Sequence, residues 1–373
     1  MIRRKKLFLY VPSLIAGGAE RVAMLLAEGF VRQGRDVFLI VAKNVGEFAN
    51  APPEAVSVID LACEKPIKGI ADLAHQIRLH RPDACIAFGI QAGIAAALSK
   101  AAYRWKSILM IRNENNLRDE WRTATRVNRL IGPLLSRWAA RRYGLVCVSS
   151  SLSAGSGGYL GLCTEKISTI INPVFAQPWP ELGMRGSAEL HPWLEDRRLP
   201  TFVAMGRLEY QKGFDVLLDA FARVLRQSDA RLIIFGNGSQ RQTLLERAQS
   251  LGIGRKLAMP GYTACPLEQM HRSTAFVLSS RFEGFGLVLV EALMSGTQVV
   301  ATDCNYGPAD VLEGGRYGYL VPTQDPAALA QTMLQCIHER PKPAPPKAWF
   351  RQFSADIAAQ RHIEWLDRQG VGE

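Results

Sequence analysis

The chain has 373 residues, 48% of them hydrophobic and 21% charged, which is material for two globular cores and excludes a disordered or fibrous protein. Seven cysteines (63, 85, 147, 163, 265, 304, 336) are scattered, odd in number and form no C-x-x-C; this excludes a disulfide scaffold and fits buried thiols in a reducing compartment. The net charge of +11 lies wholly in residues 1–172, with 24 Lys/Arg against 13 Asp/Glu, whereas residues 173–373 carry 21 of each, and with no finger, helix-turn-helix or aromatic RNA-binding signature an anionic membrane or a phosphate-bearing acceptor explains it better than nucleic acid.

Arg3-Arg4-Lys5-Lys6 before the apolar run Leu7 to Ala16 mimics an export signal, but Pro12 and Ser13 interrupt the run and an amphipathic helix follows Gly17-Gly18. Leu7–Val11 is therefore read as a first strand. No stretch reaches the roughly 18 apolar residues of a membrane span. Val22, Leu25, Leu26, Gly29 and Phe30 form one helical stripe. Val37–Val41, Ala84–Phe88, Ile108–Ile111 and Leu145–Val148 read as further strands with helical segments between most of them. Such alternation predicts a parallel sheet covered on both faces.

Residues 173–200 lack clean periodicity, are rich in proline and glycine, and read as a linker between a first domain over 1–172 and a second over 201–340. The second restarts the pattern. Thr201–Met205 is a strand, Phe214, Leu217, Leu218, Phe221 and Leu225 a helix stripe, Arg231–Phe235 a strand, and Ala275–Leu278, Val299–Ala301 and Tyr319–Val321 continue it. Lys342-Pro343-Ala344-Pro345-Pro346 is a rigid break, after which Ala348 to Arg368 reads as one last helix, the core of a 341–373 segment free to cross elsewhere. Two α/β domains of this kind place ligands at their strand ends, in a cleft between them.

Chemistry gathers at a few loops. Glu283-Gly284-Phe285-Gly286-Leu287 leads from the strand Ala275–Leu278 into an apolar helix carrying Glu291. Backbone amides at such a turn favour anions, while Glu283 suits hydroxyl groups; together they suit a nucleotide sugar. As an acid/base pair the two carboxylates would need to lie roughly 5–9.5 Å apart, and eight residues of helix span about 12 Å, so two separate contacts on an extended ligand fit better. Arg207 and Lys212 follow Thr201–Met205 and suit a diphosphate. Gly236-Asn237-Gly238 lets backbone approach a ligand, and Pro260-Gly261-Tyr262 reads as a turn with Tyr262 a candidate donor contact. Gly17-Gly18-Ala19-Glu20-Arg21 opens the first helix. With no D-x-D and no H-x-x-x-H, no metal is expected. Arg122, Arg126 and Arg129, with Arg137, Arg141 and Arg142 and apolar partners from Trp121 to Trp138, suit either a membrane interface or a solvated helix.

In order, Gly206-Arg207-Leu208, Lys212-Gly213-Phe214-Asp215, Gly236-Asn237-Gly238, Ser280-Arg281-Phe282-Glu283-Gly284-Phe285-Gly286, Glu291-Ala292 and Val300-Ala301-Thr302-Asp303-Cys304 resemble the GT4 family of retaining glycosyltransferases, of GT-B fold; Gly17-Gly18-Ala19-Glu20-Arg21 extends the likeness to the first half. The resemblance implies two Rossmann-like parallel-sheet domains facing a cleft, with a C-terminal helix crossing back to the first. It implies that Glu283 contacts the donor sugar's hydroxyls and Glu291 the ribose, that Arg207 and Lys212 neutralise the diphosphate with amides around Phe285 to Val288, and that Gly17 and Gly18 line the donor phosphate and acceptor side. The histidine many relatives carry in the first domain is replaced by Arg112-Asn113-Glu114-Asn115, which makes Asn113 and Glu114 candidates there. The expected activity is transfer of a hexose or N-acetylhexosamine from a nucleotide sugar, with UDP as carrier, to a lipid-linked or lipopolysaccharide-type acceptor. It is expected to need no cofactor or metal, in the cytoplasm or peripherally on the inner membrane face. The alternatives are a nucleotide-sugar epimerase of the same architecture and a non-catalytic nucleotide-sugar binder.

Overall fold

Continuous apolar runs without alternation are what a strand buried on both faces requires, and the computed structural model has them where the pattern is strongest. It describes residues 4–15, 17–46, 48–49, 52–176 and 190–371. Residues 177–189 of the expected linker, and Arg3 of the basic N-terminal run, lie outside the described residues.

The chain divides into two units, residues 1–179 with 351–373, and residues 180–350. The first contains a seven-stranded parallel sheet of β1 (Lys6–Val11), β2 (Asp36–Val41), β3 (Ser57–Asp60), β4 (Ala84–Phe88), β5 (Ile108–Asn113), β6 (Leu145–Cys147) and β7 (Ile167–Thr169), in the order β3-β2-β1-β4-β5-β6-β7. The second contains a six-stranded parallel sheet of β8 (Thr201–Met205), β9 (Arg231–Phe235), β10 (Leu257–Gly261), β11 (Ala275–Leu278), β12 (Gln298–Thr302) and β13 (Tyr319–Val321), in the order β10-β9-β8-β11-β12-β13. Both are doubly wound, and each reverses direction beside its first strand.

Central strands such as β4, β8 and β11 are buried at every residue. The three strands that the apolar pattern does not announce, β3, β7 and β10, all lie at sheet edges and are only partly buried. An edge strand meets water on one side and needs no apolar run. In the second unit, Phe214, Leu217, Leu218 and Phe221 of the helix Phe214–Val224 pack with Phe202, Leu232, Ile234, Leu244 and Met333 into one core.

Two long helices expected from the sequence are each broken. The stretch read as one helix from Ala348 to Arg368 is Lys347–Phe350, a short tight turn Arg351–Phe353, and Ala355–Leu366. Ser354 breaks it, because its hydroxyl accepts from the Ile357 amide at 3.3 Å as an N-cap. The basic stretch from Trp121 to Tyr143 likewise divides into Leu117–Thr123 and Arg126–Tyr143, with Ala124 and Thr125 extended between them.

Ala355–Leu366 packs on the helix Gly18–Arg32 of its own unit. Gly29 allows the approach: a Cβ there would stand 2.5 Å from the Ala355 carbonyl oxygen. Arg32 Nε to Asp356 Oδ1 at 2.7 Å closes the rim of that contact.

Candidate functional site

In a doubly wound sheet, loops leaving the carboxyl ends of the two strands at the reversal diverge and leave room for a ligand. In the second unit those strands are β8 and β11. Their loops carry Arg207 and Lys212 on one side, and Glu283 with Gly284 to Leu287 on the other.

The two loops are joined by charge. Lys212 Nζ lies 2.6 Å from Glu283 Oε1, and the Ser280 hydroxyl donates to the same oxygen at 2.6 Å. Glu283 is 5% exposed, so its charge is held by partners rather than by bulk water. The Lys212 stem lies across Gly206, where an added Cβ would stand 3.1 Å from Lys212 Cε. Thr302 Oγ1 donates to the Ser280 carbonyl at 2.6 Å and ties the Glu283 loop to β12.

A second set of contacts fixes the register of the loops. Arg281 donates through both terminal nitrogens to Asp215, at 2.9 and 2.7 Å, and to the Tyr210 carbonyl at 2.9 Å, and its guanidinium lies 4.1 Å from the Tyr210 ring centre. Gln211 Nε2 donates to the Phe282 carbonyl at 3.0 Å. Burial pushes the Asp215 carboxyl up, but the Arg281 hydrogen bonds and charge outweigh it and hold the group below the usual carboxylate range. Cys304 is buried, and burial together with the negative Glu283 raises its thiol above the usual range, so it is an inert neighbour.

The ends of β8, β9 and β10 interlock through backbone. The Gly206 amide donates to Phe235 O at 3.0 Å and the Gly236 amide to Gly261 O at 2.8 Å. Gly236 has φ +133°, and a Cβ there would stand 2.0 Å from Gly206 O, so no other residue fits. Beyond the Glu283 loop, Gly286 begins the helix Leu287–Ser295 in a left-handed conformation, with no side-chain cap and no acidic residue in the first turn. The positive end of that helix thus carries no carboxylate of its own first turn to oppose an anion.

The structure brings Lys212, Glu283, Gly284, Phe285, Gly286 and Leu287 to one strand-end locus, and Gly236 to the loop alongside. Glu291 lies on the same helix and is 5% exposed. Arg207 is exposed and contacts Gln211 Oε1 at 3.4 Å, apart from the Lys212–Glu283 pair. Tyr262 follows β10, two strands away from β8, and is 52% exposed. Ser280, Arg281, Tyr210 and Gln211 are supports that spacing alone did not single out; Ser280-Arg281 was visible as a string, without a role.

In the first unit, the sheet reverses between β1 and β4, and Gly17 is the N-cap of the helix Gly18–Arg32 at the carboxyl end of β1. The candidates near Arg112 have partners of their own. Arg112 is fully buried, with Nε 2.7 Å from Glu114 Oε1, further hydrogen bonds to Asn172 Oδ1 and His362 Nε2, and the Phe88 ring 5.2 Å below. Asn172 Nδ2 donates to Glu114 Oε2 at 3.2 Å. Glu114 is thus the counter-ion of a buried arginine. Asn113 is fully buried and donates to Ser156 Oγ at 3.0 Å.

His362 comes from the C-terminal helix, 250 residues from Arg112, and no local signal announces it. Burial and then the Arg112 charge push its imidazole well below its ordinary value. A neutral ring has one donor and one acceptor nitrogen. Nδ1 donates to Ala358 O at 2.7 Å, so Nε2 accepts from Arg112.

Among the described residues, no group of three or more His, Cys, Asp or Glu side chains is placed to hold a metal, and no helix is long and apolar enough to cross a membrane.

Two family models match in tandem: a glycosyl transferase 4-like domain over residues 17–172, and glycosyl transferases group 1 over residues 190–348. The chain is 29% identical over 135 residues to a poly(ribitol-phosphate) alpha-N-acetylglucosaminyltransferase of Staphylococcus aureus, covering 36% of this chain and 27% of that one. It is 29% identical over 166 residues to a lipopolysaccharide 1,6-galactosyltransferase of Salmonella typhimurium, covering 43% of each. These matches span less than half of either relative's length. Among solved structures, Alr3699/HepE of Anabaena in complex with UDP superposes with a TM-score of 0.75 at 20% identity, covering 98% of this chain and 100% of that one. This likeness is one of fold.

Proposed function

The chain belongs to the group 1 glycosyl transferases with the GT-B fold, and from that premise we propose that it transfers a hexose or N-acetylhexosamine from a nucleotide sugar to a surface-glycan acceptor, lipid-linked or of lipopolysaccharide type. UDP is the carrier proposed, in keeping with the UDP-bound neighbour of like fold. The names of the two curated relatives support the acceptor class.

The observation that carries this proposal is the Lys212–Glu283 pair at the reversal of the second sheet, beside a helix start without a cap. Lys212 and Glu283 neutralise each other. A diphosphate competes for Lys212, and Glu283, still held by Ser280, is then left with oxygens for sugar hydroxyls. Arg207 adds a second cation, amides around Phe285 to Val288 take phosphate oxygens, and Glu291 takes the ribose hydroxyls. Gly236 lets the backbone approach the nucleotide, and Tyr262 bounds the far side of that loop.

The bond between the anomeric carbon and the diphosphate breaks while the acceptor hydroxyl bonds to the same face. The acceptor proton passes to the departing phosphate, and configuration is retained. Arg207 and Lys212 lower the barrier by stabilising charge as it grows on that phosphate, and no metal is included in the proposal. Gly17 and Gly18 are proposed to serve the donor phosphate and acceptor side, while Glu114 and Asn113 hold the carboxyl end of β5 through their buried partners Arg112 and Ser156. With a lipid-borne acceptor, the proposed place of action is the cytoplasm, in peripheral contact with an anionic inner membrane face.

A panel of nucleotide sugars screened for a rise in unfolding temperature identifies the donor, since a ligand of the folded state stabilises it by mass action. The donor found is then incubated with and without acceptor. Conversion of the sugar itself without acceptor would overturn the transferase reading in favour of an epimerase.

A further inference from the structure

Exposed apolar side chains scattered singly need no explanation, but a contiguous set does. Twelve large apolar side chains stand out as exposed among the described residues, and four of them, Val127, Leu130, Ile131 and Leu134, fall within eight residues of the helix Arg126–Tyr143. They sit at offsets 0, 3, 4 and 7, one solvent-facing stripe. The inner face is separately accounted for. Gly132, Ser136, Ala139 and Ala140 are buried, Trp121 Nε1 donates to Ser136 Oγ at 3.2 Å, and a Cβ on Gly132 would stand 2.4 Å from the Trp121 ring. The outer stripe is thus not a core face left bare by chance of register.

Arginines surround it. Arg126 is exposed beside the stripe, and Leu134, Arg137, Trp138, Arg141 and Arg142 line a shallow groove of about 420 Å³ that continues it. No Asp or Glu occurs from Trp121 to Thr164. The helix leads from β5 back to the parallel strand β6, so its start lies at the carboxyl end of the first sheet. That is the end at which Gly17 opens its helix.

We propose that the helix Arg126–Tyr143 is a membrane-docking element, in which Val127, Leu130, Ile131 and Leu134 enter the headgroup boundary of an anionic bilayer and the surrounding arginines bind its lipid phosphates. The choice of occupant follows from size and charge. The stripe is about 11 Å long, and a stable protein interface needs ~800 Å² per partner, more than four side chains supply. A few apolar side chains framed by guanidinium groups are what an interfacial helix uses. The proposal rests on the reading of a membrane-borne acceptor and gives it an address in the first unit, at the sheet end that serves the acceptor.

Co-sedimentation of the full chain with vesicles tests it, in the absence of any sugar donor or acceptor, so its failure is distinct from failure of transfer. Binding is expected to vesicles of phosphatidylcholine mixed with phosphatidylglycerol, to weaken as salt is raised, and to be absent on phosphatidylcholine alone. Leu130→Ser and Leu134→Ser each weaken binding on the order of tenfold; Arg126→Ser and Arg137→Ser each weaken it about fivefold. All four side chains are exposed, so the unfolding temperature should hold, and the arginine pair carries the test should the leucine pair destabilise the chain. Equal binding to both vesicle types, no binding to either, or variants that bind as the parent does would overturn the proposal. So would a self-associated parent that the leucine pair renders monomeric, since the stripe would then be an interface between copies.

Discussion

Replacing His362 by Gln removes a titrating group and keeps an acceptor for Arg112. His362 is fully buried between Arg112 and its own helix, with Phe30 edge-on at 6.0 Å, and it stays neutral in the folded chain. Its folded value is depressed while the unfolded chain takes up the proton at about 6.5, so below that pH the unfolded state binds more protons and stability falls. Between about pH 7.5 and 5.5 an unfolded-state value near 6.5 with no folded uptake costs about 1.4 kcal/mol. Native-state hydrogen exchange of the amides in Ala355–Leu366 reads this opening separately from that of residues 180–350. The parent should lose that stability on acidification, and His362→Gln should lose about 1.4 kcal/mol less, whatever its stability at neutral pH. The same acid loss in both proteins would refute the neutral, buried His362. So would protection that rises in the parent as pH falls.

Other outcomes follow from the strand-end loops. Glu283→Gln keeps a partner for Ser280 but withdraws the charge facing Lys212, which the proposed reading also offers to the sugar; transfer should then fall on the order of a hundredfold or more in kcat, and an unchanged kcat would remove Glu283 from the site. Asp215→Asn acts on the support below. The Asp215 carboxyl is held low by Arg281, so the pair's stabilisation is present above the unfolded value of about 3.9 and lost as pH falls below it. The variant should therefore show a shallower loss of stability through the acid range in urea titrations, and a parent-like profile would show the pair to be idle. Gly236→Ala puts a methyl 2.0 Å from Gly206 O at a φ of +133°; strain of about 1–3 kcal/mol is expected, read as a lower unfolding temperature and weaker nucleotide-sugar binding. An alanine that binds donor as tightly as glycine would mean the backbone has freedom the structure does not show.

Much of the site was legible because its parts are local. A strand, a glycine turn and a helix in sequence place Glu283 and Gly284 to Leu287 at a strand end whatever the neighbours are. Arg207, Lys212 and Gly236 follow from their own strands in the same way. The misreadings have local causes too: Ser354 caps a helix that the apolar pattern runs straight through, and β3, β7 and β10 lie at edges where no apolar run is required. Glu114 stood out only as a candidate, because nothing near it in the chain reveals that Arg112 is fully buried and is neutralised by it.

By itself the sequence determined the alternation of strand and helix, the restart of that pattern after the linker, and which side chains leave which strand ends, since these depend on neighbours within a few residues. Only the tertiary structure decided that Lys212 meets Glu283 across 71 residues and Arg112 meets His362 across 250. Those meetings depend on the lateral order of strands and on where the last helix docks, and lateral order is set by packing between distant segments that no spacing along the chain records.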